Sequence, residues 1–97
     1  MNVKVNDVRV IPIRPQRNEY QKDTLVGLAT CEIDGKFFIG SIGIYESEDK
    51  KSYRITYPTK KRGNSSLKIF YPVNEEISQE IERAIIEEYT NLMQMDL

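Results

Sequence analysis

Tyr53-Arg54-Ile55-Thr56-Tyr57-Pro58, then Thr59-Lys60-Lys61-Arg62-Gly63-Asn64-Ser65-Ser66, then Leu67-Lys68-Ile69-Phe70-Tyr71-Pro72-Val73-Asn74: this run decides how the chain folds. Tyr53, Ile55 and Tyr57 alternate with Arg54 and Thr56, the two-residue period of a half-buried strand. Leu67, Ile69 and Tyr71 repeat the phase, with Lys68 and Phe70 between them. Each run stops at a proline, Pro58 or Pro72, which has no amide hydrogen to give a sheet ladder. Between them lie Lys60, Lys61 and Arg62, followed by Gly63-Asn64, residue types that tolerate positive φ. The stretch predicts a basic loop held at the tip of two aromatic-rich strands.

Outward from there, Asp34-Gly35 sits between two β-rich runs, residues 24–33 and 36–44, and supplies the φ angles of a two-residue type I′ hairpin. In the second run Phe37 and Ile39 lie on one phase, Phe38, Ile42 and Ile44 on the other. A strand apolar on both phases is covered on both faces. One helix covers one face, so a second protomer is expected on the other, with Phe37, Phe38, Ile42 and Ile44 at the dimer interface. Cys31, mid-strand in a chain without histidine, reads as a small packing residue. Near the start, Val3 and Val5 alternate, Asn6-Asp7 interrupts, and Val8 and Val10 resume out of phase, which suggests a bulge. Pro12 and Pro15 place this element at a sheet edge. Residues 15–23 read as an exposed loop, and residues 45–52 as a polar turn.

After Asn74 the period changes to 3.6. Ile77, Ile81, Ala84, Ile85, Tyr89 and Leu92 fall along one stripe, with Glu76, Glu80, Arg83 and Glu87 opposite. This predicts a helix over about residues 75–93, capped by Asn74 or, one turn later, by Ser78. Ile86 and Met93 form a second apolar patch off the stripe. The order strand, hairpin, strand pair, helix predicts one α+β domain over residues 1–97: a small, mostly antiparallel sheet with one C-terminal helix packed on it.

Composition narrows the function classes. The chain has 97 residues, 30% of them charged, and no apolar run near the roughly 20 residues of a membrane span. One cysteine and no apolar leader fit a reducing, cytoplasmic setting. The net charge of −1 hides a split: residues 1–73 hold 13 Lys/Arg and 8 Asp/Glu, residues 74–97 hold 1 and 7. Such polarity points to an anionic partner on one side. With no histidine, metal-spaced cysteines, phosphate-binding glycine loop or nucleophile–base pair, neither an enzyme nor a metal, cofactor or small-molecule substrate is expected.

Five ordered blocks also carry a resemblance. Val5-Asn6-Asp7-Val8-Arg9, Phe37-Phe38-Ile39 with Ile42-Gly43-Ile44, Tyr57-Pro58-Thr59-Lys60-Lys61-Arg62, Tyr71-Pro72-Val73-Asn74, and Ala84-Ile85 with Tyr89 together resemble the SpoVG family, the bacterial stage V sporulation and septation proteins. The resemblance implies a small dimeric protein that binds DNA, in some members RNA, and regulates gene expression. It assigns nucleic-acid contact to Lys60, Lys61 and Arg62, with residues near Ser78 a further site. The chain departs from the family pattern in its longer loop at 15–23, in Gly43 for a frequent arginine, in Tyr71 for a frequent histidine, and in the turn at 63–66. These departures mark a divergent paralogue.

From charge alone, Lys60, Lys61, Arg62, Lys68 and Arg54 offer phosphate contacts, and Asn64 can also address a base edge. A Lys-Lys-Arg triplet is by itself more often a solvated hairpin tip than a binding site. The alternative function is a dimeric protein-interaction module using the acidic helix, the Ile86/Met93 patch and the tail Met93-Gln94-Met95-Asp96-Leu97.

Overall fold

Six strands and one helix follow in chain order in the computed structural model, which describes residues 3–17 and 20–95. Strands β1 (Val5–Gln16), β2 (Thr24–Ile33), β3 (Phe37–Glu46) and β4 (Tyr53–Thr56) form an antiparallel sheet in the order β1-β2-β3-β4. Strands β5 (Thr59–Arg62) and β6 (Ser65–Lys68) form a separate two-stranded ribbon, and α1 (Glu75–Met95) closes the chain. The architecture is α+β, with the helix packed on one face of the sheet.

Turn chemistry sets the registers. Asp34 and Gly35 take φ of 55° and 65°, as a type I′ hairpin requires. The turn is tied to the start of β1: Asp34 N donates to the Lys4 carbonyl at 2.8 Å, and Gly35 N to Asn6 Oδ1 at 3.1 Å. The valine phase slip in β1 is a bulge, with Asp7 at φ 47° and the pairing shifted between Asn6 and Arg9. β1 then runs through Pro12 and Pro15 to Gln16, further than the loop expected from residue 15; proline is tolerated because β1 is an edge strand. Asn18 and Glu19 of that loop lie outside the described residues, as do Asp96 and Leu97 of the tail.

One bulge changes how β3 is read. Ala29 pairs with Ile42 but Cys31 with Ile39, so an extra residue sits in β3, where Ser41 adopts φ 55°. The extra residue flips the phase, and Ile39, Ile42 and Ile44 all point to the helix side. Ile42 and Ile44 are 0% exposed within their own core. The expectation that β3 is apolar on both faces, with Ile42 and Ile44 in a dimer interface, is therefore corrected. Phe37 and Phe38 remain on the surface, 61% and 68% exposed.

Val26, Ala29, Cys31, Ile39, Ile42 and Ile44 from the sheet meet Ile81, Ile85 and Tyr89 from the helix in one hydrophobic cluster. Burying Ile81 and Ile85 contributes about 1.5–3 kcal/mol each before entropy is counted. Tyr53 meets Tyr89 edge to face, with ring centroids 5.4 Å apart. Asn74 is the N-cap: its Oδ1 accepts from Ile77 N at 3.0 Å, and its carbonyl from Ser78 N at 3.0 Å. Glu75 and Glu76 lie in the first turn, where carboxylates suit the helix dipole. No helix among the described residues is long and apolar enough to cross a membrane.

Candidate nucleic-acid interface

From Tyr53 to Asn74 the chain holds five cations and no carboxylate. The expected basic loop proves to be more ordered than a loop. Thr59 pairs with Lys68, Lys60 with Leu67, Lys61 with Ser66 and Arg62 with Ser65, leaving Gly63-Asn64 as a two-residue turn. Gly63 takes φ 61° and Asn64 stays outside the left-handed region, the type II′ arrangement. Ile69 N donates to the Pro58 carbonyl at 3.0 Å and closes the base. The second strand is correspondingly displaced from expectation. It covers Ser65–Lys68 rather than running from Leu67 to Tyr71, and Leu67, Ile69 and Tyr71 are exposed rather than half-buried.

All eight ribbon residues are exposed, and neither the four-stranded sheet nor the helix packs broadly against them. Cross-strand partners share a face. Thr59, Lys61, Ser66 and Lys68 therefore stand on one side, and Lys60, Arg62, Ser65 and Leu67 on the other. Among the described residues Lys60, Lys61, Arg62 and Lys68 form no ion pair, so their charge is uncompensated. Lys68 Nζ lies 4.6 Å from the Tyr71 ring centroid, a cation–π contact that steadies the side it occupies. Asn64, at the ribbon tip, is exposed.

Arg54 does not join this group. It pairs with Asp23 and stacks over Tyr45 at 4.5 Å, on the sheet face away from the helix. Ser78 lies on the first turn of α1 next to the Tyr57 hydroxyl, so the helix start and the ribbon foot meet at Tyr57. Glu75 and Glu76 make that junction acidic.

Sequence reasoning expected a second sheet face for a partner protomer but missed the residues that form it. Arg9, Ile11, Leu28, Ala29, Thr30 and Ser41 line a hollow of about 450 Å³. Leu28 and Ser41 continue into a second hollow lined by Leu25, Tyr45, Thr56, Pro58 and Ile69, at the foot of the ribbon. Ile11 and Leu28 are exposed there. The one signal in the sequence was Ile11 and Leu28 standing in alternation with Val10 and Ala29. Gly43 floors the second hollow; a Cβ there would lie 2.8 Å from Thr56 Oγ1. A side chain at position 43 needs Thr56 to move.

Among the described residues, no three His, Cys, Asp or Glu side chains gather to hold a metal ion. Cys31 is buried, and burial pushes its thiol pKa up. No curated protein shows a significant match to the chain. A family model for SpoVG matches residues 3–91, a span holding the bulged sheet, the basic ribbon and the Asn74-capped helix up to its last turn. On that match the chain belongs to the SpoVG family.

Proposed function

We propose that the protein is a nucleic-acid-binding regulator that contacts its ligand through the ribbon residues Lys60, Lys61, Arg62 and Lys68, with Asn64 at the tip. One observation carries this reading: four exposed cations without carboxylate partners are mounted on a ribbon that no other element covers. Uncompensated lysines and arginines gain affinity for phosphate chains by releasing counterions. The acidic surface of α1, where Arg83 already bridges Glu80 and Glu87, repels the same ligand and orients it toward the ribbon. Regulation of sporulation- or septation-type processes is the role this family membership supports.

The reading includes a homodimer seated on the open sheet face. Of the cations on that face Arg9 pairs with Asp7 and Arg54 with Asp23, and Ile11 and Leu28 expose apolar surface beside them. Strands of 12, 10, 10 and 4 residues lying about 4.8 Å apart present roughly 570 Å². A stable complex needs about 800 Å² per partner, so the ribbon feet at Ile69 and Pro58 complete the contact.

Fluorescence anisotropy with labelled duplex DNA, single-stranded DNA and RNA tests the function. Wild-type protein binds at least one of them, and replacing Lys60, Lys61 and Arg62 together by alanine weakens binding by about tenfold or more. Equal affinity in the triple variant would remove the ribbon as the contact surface, and binding to none of the probes would move the function to the protein-interaction reading, for which Met93 and Met95 are the exposed large apolar side chains on α1.

A further inference from the structure

A ribbon is a different instrument from a flexible basic loop, and the difference bears on which nucleic acid it takes. Paired backbone fixes the side-chain directions, so the two faces of β5–β6 present two separate sets of groups. The Lys61 face is composed of Thr59, Lys61, Ser66 and Lys68, and Lys68 is occupied by the Tyr71 ring. The other face carries Lys60, Arg62, Ser65 and Leu67, whose side chains have no hydrogen-bond, ion-pair or ring partner among the described residues. It combines a guanidinium fork, a hydroxyl and an exposed aliphatic group. Each can contact a base edge in the major groove: the fork reads guanine O6 and N7, the apolar carbon meets a thymine methyl, and the hydroxyl bonds to either type of base without telling them apart.

The dimensions agree. Four residues per strand span about 14 Å, and two strands lie about 4.8 Å apart. The B-form major groove is about 12 Å wide and admits a two-stranded ribbon. The major groove of an A-form RNA duplex is too deep and narrow for side chains to read. Resting on the proposed nucleic-acid reading, we infer that the ligand is B-form duplex DNA and that β5–β6 enters its major groove. The Lys60–Arg62–Ser65–Leu67 face lies against the base edges. Arg62, next to the turn and so nearest the ribbon tip, addresses guanine, while Lys61 reaches outward to flanking phosphates.

The test measures anisotropy with a short mixed-sequence DNA duplex, the RNA duplex of matching sequence, each single strand, and the DNA duplex with 7-deazaguanine in place of guanine. That last change removes the N7 acceptor from the major groove without altering the phosphate charge. The inference expects the DNA duplex to bind at least about tenfold more tightly than the RNA duplex. 7-Deazaguanine is expected to weaken wild-type binding several-fold and to leave Arg62→Ala, which removes every donor at that position, almost unaffected. Lys61→Gln, on the opposite face, weakens binding but retains the 7-deazaguanine effect. Equal or tighter binding to RNA duplex or single strands, still lost in the triple alanine variant, would overturn groove entry and leave nucleic-acid binding standing. Absence of binding to every probe would remove both.

Discussion

Tyr57 stands at the foot of the ribbon, packed against the core, with its hydroxyl enclosed and without a hydrogen-bond partner. Burial raises its phenol pKa, and Ser78 on α1 works against that shift from outside hydrogen-bonding geometry. A buried hydroxyl left unpaired costs about 1–3 kcal/mol. Tyr57→Phe is therefore expected to leave stability unchanged or raise it by up to that amount in urea melts. A loss beyond about 1 kcal/mol would show that the hydroxyl is satisfied in solution. Single residues also mark where the sequence could be read and where it could not. Asp34-Gly35 announces its turn because two adjacent residues suited to positive φ have one common use in a hairpin. Ser41 at φ 55° gives no such notice, since a serine is unremarkable in a strand and the bulge exists only relative to β2.

At the scale of the element, that one inserted residue separates expectation from structure. Periodicity counts residues and assumes an unbroken pleat, so a bulge moves every later side chain to the other face. Ile42 and Ile44, placed by periodicity on a second face, lie instead against α1. The helix was legible in type, phase and cap region, because a 3.6-residue stripe and Asn74 act locally. The ribbon was legible in charge but not in strand bounds: exposed strands carry no hydrophobic period to read. The open sheet face, which only pairing across β1, β2 and β3 creates, carries the element-level prediction. Leu28→Glu, on that face, is expected to halve the mass read by light scattering at tens of micromolar while leaving helix content intact. Ile42→Ala, in the core, is expected to lower stability by about 2–5 kcal/mol. A wild-type protein that scatters as a single chain would contradict the homodimer.

Over the whole molecule, charge and shape have the same polarity. Residues 53–73 carry cations alone, and residues 74–97 carry one cation against seven carboxylates. The chain extends 42 × 39 × 19 Å, a flat body with a ribbon that the core does not hold in place. Two such chains offer two ribbons, and the number engaged can be counted from the salt dependence of binding. Two ribbons with three or four cations each neutralise about five to seven phosphates, which gives log K against log[salt] a slope of about −5 to −6 on duplex DNA. One ribbon gives about −3. Salt titration of the wild type beside the Lys60→Ala, Lys61→Ala, Arg62→Ala triple variant decides whether the ribbon is the contact surface. The wild type is expected to show the steeper slope and the variant a markedly flatter one. The same slope in both proteins would contradict the assignment of the ribbon as the contact surface.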